Sequence, residues 1–453
     1  MNTANRLGGA LRRATLSVAL FAILALVLLS MASPAHAVEV QRVTGGGVEA
    51  WLVEDHTNPI ITVRLAFRGG AALDPADKSG LAEMVAALLD EGAGDLDSTA
   101  FHERLEDLAI SLSFDADLDA VSGKVETLSD NRDAAFALLR QALTAPRFDA
   151  EPVARVRSQL QARARAVLED PDAVASQAFF AMAFPDHPYG RPAGGTADSL
   201  AAISVKDLQA FVPSRLTKDR LVIGVVGDVT ADELAALLQR TFADLPAQGD
   251  AAAVADVEPN IHGQTVVVPT GAPQSAIVFG QRGLARDDPD FYAATVLAHI
   301  LGSGPFTSRL YQEVREQRGL VYTVYASLAP LDRAALILGS AGTVNDRAGE
   351  TLKVIRSVWS DIARNGVDAS DLADAKTYLT GSFPLRFTSS GRIAGILVSM
   401  QLEHLGIDYL DRRNGLIEAV TLDDVNRLAH GLLAPDSLAF VVAGAPVGVE
   451  ANN

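Results

Sequence analysis

The chain contains no cysteine among its 453 residues. That excludes disulfides, thiolate metal sites, cysteine nucleophiles and lipid-modified cysteine, and it leaves stability to packed cores. Positive charge is also scarce. Against 56 Asp and Glu there are 38 Lys and Arg, a formal charge of −18 with no basic cluster beyond the N-terminus. A surface of that sign repels phosphate backbones, so nucleic acid is not expected as a partner. Histidine is sparse at eight residues, and none of them forms H-x-x-x-H, H-E-x-x-H or H-x-x-E-H. They read as surface or capping residues, with His187 in the turn DHPYGRP structural.

What is present is a globular composition, 49% hydrophobic and 21% charged, in a chain long enough for several domains. Residues 1–37 stand apart as a leader. Arg6, Arg12 and Arg13 precede the apolar run TLSVALFAILALVLLSMAS, and PAHA places Ala35 and Ala37 before a cut at Val38. The segment reads as a cleaved signal peptide or, since the run approaches spanning length, as a retained anchor. The small-residue ending favours cleavage. Losing three arginines and no carboxylate takes the charge from −18 to −21. An exported chain without cysteine fits the bacterial periplasm.

Beyond the leader, strand-like runs such as 61–67 and 221–229 alternate with amphipathic runs such as 130–143 and 350–366. Asp130 is a candidate N-cap and Gly366 a candidate helix stop. The elements mix without strict β-α-β order, which favours α+β layers over a parallel nucleotide-binding sheet. An internal repeat organises the whole. ISVKDLQAFVPSRLTKDRLVIGVVGDV (203–229) is echoed by VTLDDVNRLAHGLLAPDSLAFVVAGAP (420–446), and IITVRLAFRGGAALDP (60–75) by SAIVFGQRGLARDDP (275–289). The near-constant offset marks a duplicated unit. The expected fold is therefore α+β, two homologous α/β sandwich domains at 38–245 and 265–453 joined by an Ala-, Pro- and Gly-rich linker at 246–264.

Three segments carry a family resemblance: SGLAEMVAALLDEGAG (79–94), FPDHPYGRPAGGTADSLAAISVKDL (184–208) and FTSRLYQEVREQRGLVYTVYASL (306–328). Through them the chain resembles the pitrilysin/insulinase zinc metallopeptidases, in the short two-domain class that works as dimers. Active members of that family carry H-x-x-E-H in the first segment. Histidines four apart share one helical face and chelate a single zinc, while the glutamate polarises its water. Here the three positions are Glu83, Ala86 and Ala87, so both histidines and the base are missing. The family's third ligand, a glutamate from a second helix, falls near Arg163 and Ala164. An arginine beside a cation site opposes metal binding. The apolar helix 80–94 is thus expected to keep a packing role only, with no metal bound by this chain.

The third segment retains what the first lost. The family places an arginine and a tyrosine seven residues apart, facing the zinc across a closed cavity, and Arg315 and Tyr322 have that spacing. A guanidinium and a phenol suit a peptide carbonyl and a developing oxyanion. Arg318 competes for the arginine role. A charged helix at 307–318 is expected to end at Gly319 and run into a strand holding Tyr322 and Tyr325. Upstream, AHILGSGPFTSRL (298–310) is a helix broken by Gly302, Ser303, Gly304 and Pro305. It lacks the Lys-Ser/Thr ending of a phosphate-binding loop, which rejects nucleotide binding; it reads as a helix cap or, as the family resemblance implies, as a short substrate-contacting loop. Arg386 and Arg392, in a Phe-Pro-initiated helix at 383–406, read as substrate-facing or as solvated helix-end charges.

The resemblance implies a non-catalytic, substrate-binding subunit of a heterodimeric periplasmic zinc metallopeptidase. A homologous H-x-x-E-H partner would hold the zinc and this chain would supply Arg315 and Tyr322 to a peptide substrate. The alternative is a non-enzymatic assembly or scaffold subunit related to respiratory-complex core proteins. Membrane association is expected only if the leader is retained.

Overall fold

The computed structural model describes residues 39–452, and the leader lies outside them. Among the described residues no helix is long and apolar enough to cross a membrane. The chain builds two α+β halves related by duplication. The first holds a six-stranded sheet of β1 (Gln41–Gly45), β2 (Val48–Glu54), β3 (Ile60–Arg68), β4 (Ser111–Ala116), β5 (Ala120–Leu128) and β6 (Leu221–Gly227), in the order β1-β2-β6-β3-β5-β4. The second holds β7 (Thr265–Pro269), β8 (Gln274–Arg282), β9 (Val324–Pro330), β10 (Ala335–Val344) and β11 (Ala439–Gly444), in the order β7-β11-β8-β10-β9. The two sheets share one pairing scheme. The strand that closes each half, β6 or β11, runs parallel to one neighbour and antiparallel to the other.

The repeat is visible down to the caps. Helix Val205–Arg215 starts with a box in which Ser204 and Asp207 satisfy each other's backbone N–H groups. Helix Leu422–Leu432 starts with the same box made by Thr421 and Asp424. Each box fills two otherwise orphaned donors, which is why the two sequences fix the same helix start. Gly366 ends helix Ala348–Asn365 at a φ of +70°, as its position suggested. Asp130 does not cap its helix. Residues 129–131 form a separate 3-10 turn, and helix Arg132–Thr144 begins after Asn131.

Each sheet is covered on its second face by a helix from the other half. Helix Pro171–Ala183 of the first half packs on β8 and β11. Phe179 and Ala175 are buried there against Ala276, Val278, Ala439 and Val441. Helix Ser390–Leu402 of the second half packs on β3 and β6. Its backbone comes so close that a Cβ on Gly224 of β6 would stand 2.5 Å from the Ala394 carbonyl oxygen. Burial on both faces explains why β6, β8 and β11 read as near-continuous apolar runs rather than alternating ones.

The stretch 246–264 carries no helix or strand but is strapped down. The Pro246 and Ala247 carbonyls accept from the Lys218 and Asp219 amides. Further along, the Val257 amide donates to Arg333 and the Asn260 amide to Ala183. Nearby, Tyr189 is fully buried, and its hydroxyl donates to Asp119 at 2.5 Å and accepts from the Arg333 amide at 3.0 Å. The Asp332 amide donates to the other Asp119 oxygen at 3.1 Å, so one tyrosine–aspartate pair ties the β4–β5 turn to the β9–β10 turn.

Candidate functional site

The segment that would hold the zinc ligands starts at a rigid corner. Gly80 takes a left-handed φ of +90°, and the Gly80 and Ala82 amides both donate to Asp74 Oδ2 at 3.1 Å. Asp74 is in turn paired with Arg215 at 2.7 Å, both side chains buried. From this corner the helix runs only from Leu81 to Ala86, and the chain continues in turns to Gly94 rather than as the single helix expected over 80–94. Leu81, Ala82, Met84, Val85 and Ala86 are all buried in the first core.

Glu83 is the exception, and its role corrects the expectation of packing alone. Its carboxylate meets Arg163 Nη1 of helix Ala150–Val167 at 3.0 Å. The family's first metal-ligand position is thus met by a residue next to where its third is expected, at 163–164, and the two form an ion pair. Burial raises the Glu83 carboxyl above its ordinary pKa, with Arg163 pulling the other way and Asp115 adding to the rise. Around the pair lies a cavity of about 240 Å³ lined also by Leu160, Ala164 and Gln177. Alanines at 86 and 87 and a carboxylate already engaged by a guanidinium do not fit a zinc ion. Among the described residues no cluster of three or more His, Asp or Glu is placed to hold a metal.

The second set of residues sits in the other half. Helix Phe291–Ala298 widens into a π-helical turn at His299–Ser303, and after the 304–307 turns the chain forms another at Tyr311–Glu316. Such turns shift the side chains that follow and recur at functional sites. The helix expected over 307–318 is thus a short, widened segment, although Gly319 does end it, at φ +57°. Tyr322 lies in a bend ahead of β9 rather than in the strand; only Tyr325 is in it. The bend leaves Tyr322 80% exposed.

Arg315 and Tyr322 are brought together, the guanidinium carbon standing 5.1 Å from the ring centroid. The guanidinium also lies 4.8 Å from the Tyr311 ring and donates to the Tyr311 hydroxyl. Tyr311 was not singled out in the sequence, although a residue four before Arg315 is a standard helical neighbour. Phe306, 66% exposed and held at a φ of +62°, packs edge-on to Tyr311 at 5.3 Å. A positive φ at a phenylalanine is strain that the surroundings must hold. The competing Arg318 turns away and pairs with Glu313. With one nitrogen given to Tyr311 and Nε 3.9 Å from Glu316, the guanidinium beside both tyrosine rings has its remaining planar donors to offer a carbonyl or carboxylate.

Two further expectations are settled locally. His187 is structural, accepting from the Tyr189 amide and bonding the Ala255 carbonyl. His299, expected at the surface or in a cap, is 6% exposed and stacked on Tyr378 at 5.0 Å, and burial lowers its pKa. Among the described residues no hydrogen bond or ion pair links the Glu83–Arg163 pair to the Arg315–Tyr322 group.

The family model for Insulinase (Peptidase family M16) matches residues 50–197, and that for the Peptidase M16 inactive domain matches residues 202–379. The non-peptidase homolog YmxG of Helicobacter pylori is 28% identical over 367 residues, 81% of this chain and 84% of that protein. An uncharacterized zinc protease of Mycobacterium leprae is 31% identical over 268 residues, 58% of this chain and 60% of the other. The crystal structure of a peptidase M16 inactive domain from Pseudomonas fluorescens superposes with a TM-score of 0.84 at 28% identity, covering 91% of this chain and all of that one. The chain belongs to the insulinase family, peptidase family M16, and lacks that family's H-x-x-E-H motif.

Proposed function

We propose that this chain is the non-catalytic, substrate-binding subunit of a heterodimeric periplasmic metallopeptidase. The observation that carries the reading is the contrast between two positions. Where the family places its metal ligands, Glu83 is consumed by Arg163. Where it places its substrate-binding pair, Arg315 is stacked on a Tyr322 that stands 80% exposed. A large aromatic left in water beside a guanidinium is the kind of anchor that binding surfaces use. In this reading a homologous H-x-x-E-H subunit supplies zinc and base. Arg315 grips a peptide carbonyl and Tyr322 donates to oxygen as charge develops on it. The chain has no group of its own to activate water, and so no peptidase activity alone.

The test is cleavage of an unfolded peptide by this chain, by the partner, and by the mixture, with Arg315→Ala and Tyr322→Phe alongside. Activity confined to the mixture, reduced by about a hundredfold or more in each variant, is the expected result. Full activity from the partner alone, or from mixtures containing both variants, would make this chain an assembly or scaffold subunit. Zinc-dependent cleavage by this chain alone would overturn the reading.

A further inference from the structure

A second site lies on the far side of the first sheet, under the start of helix Ser390–Leu402. A cavity of about 370 Å³ is lined there by Thr62 and Arg64 of β3, Lys124 and Glu126 of β5, and Ser390, Gly391 and Arg392 of the helix. Three cations and one carboxylate give it a net charge of plus two, in a chain whose overall formal charge is −18. Positive charge is concentrated here against the composition.

The arrangement is unfavourable as it stands, in three ways that share one remedy. Arg64 and Lys124 are directly opposed across the antiparallel pair β3–β5, a like-charge pairing that destabilises a sheet. Lys124 is relieved by Glu126 at 3.1 Å, but Arg64 forms no ion pair among the described residues, and its Nε is buried without a hydrogen-bond partner. Arg64 also reaches the wrong end of a helix, its Nη2 standing 4.0 Å from where a Cβ on Gly391 would be. A helix N-terminus carries partial positive charge, so a guanidinium is repelled there. Arg392 adds a third cation in the same first turn, held only by a long 3.4 Å contact to the Thr388 hydroxyl. At that turn the Arg392 and Ile393 amides are taken by Ser389, while those of Ser390 and Gly391 have no acceptor among the described residues.

We propose that this cavity binds a phosphate-type dianion, as inorganic phosphate or as the end group of a small monoester. An anion between Arg64, Lys124 and Arg392 removes all three repulsions at once and accepts from the two free amides. The dianion matches the net charge of the site, which a single carboxylate does not. Thr62 and Ser390 add hydroxyls that bond any tetrahedral oxyanion. The site joins strands of the first half to a helix of the second, so its ligand would also brace the contact between the halves. It is independent of the Arg315–Tyr322 reading.

The experiment is calorimetric titration of the whole chain in low-salt buffer with inorganic phosphate, glycerol 3-phosphate and chloride, together with melting curves. Phosphate binding, a raised Tm and no response to chloride are expected. Arg64→Gln and the exposed Arg392→Ala should each weaken binding by about tenfold or more, the loss of one charged hydrogen bond. Glycerol 3-phosphate binding as well as phosphate would identify a monoester end; phosphate alone would identify the free ion. Absence of binding to wild type, or equal binding by a folded Arg392→Ala variant, would overturn the proposal.

Discussion

Asp90 shows how a single carboxyl sets a pH dependence for the molecule. Burial, with Glu91 adding, raises its pKa from 3.8 to about 6, while His102 and its own backbone amide oppose the rise. The folded chain therefore holds this proton more tightly than the unfolded chain does. Its contribution to stability falls as pH rises from about 4 to about 6 and is level above that. Asp90→Asn removes the slope. The variant should match wild type near pH 4 and exceed it near pH 7.5 by roughly 1–3 kcal/mol, since one pKa unit is about 1.4 kcal/mol. Denaturant melts at the two pH values check it; an equal difference at both would refute the assignment. At this scale the sequence was uneven as a guide. Arg315 and Tyr322 were singled out through the family resemblance, and their side chains do meet, at one helix end and one bend. Tyr311 was equally local and went unremarked. Arg64, Lys124 and Arg392 were not legible, because strand register and the docking of a helix more than three hundred residues away bring them together.

Elements repeat more faithfully than their chemistry. The two capping boxes and the two closing strands are legible in the sequence because caps and apolar runs are short-range signals. The π-helical turns at 299–303 and 311–316 were not, since nothing in residue spacing distinguishes them from a helix. Nor was the choice of partner for helix Ser390–Leu402, whose periodicity says that one face is buried but not against what. Its seat is cut by Gly224. Gly224→Ala would drive a methyl into the Ala394 carbonyl and the Leu397 side chain, lifting the helix from β3 and β6. The expected cost is about 1–3 kcal/mol, as for other overpacked contacts. Hydrogen exchange should then speed up in helix 390–402 and β6 and stay slow in β8 and β11; uniform loosening of both halves would show that the notch is not what seats the helix.

The molecule as a whole is held by exchange. Helix Pro171–Ala183 belongs by sequence to one half and by packing to the other, and helix Ser390–Leu402 reverses the trade. Cutting the chain at the exposed Asp250 should leave two fragments that co-elute on size exclusion and keep the melting behaviour of the intact chain, while either fragment made alone exposes one sheet face and aggregates. A soluble, folded single fragment would contradict this. Topologically the chain is a swapped dimer whose two copies have been sewn end to end, with the linker serving to keep their mutual concentration high. The halves hold each other through these two helices, and where the family's metal ligands would stand the first copy carries the Glu83–Arg163 salt bridge instead.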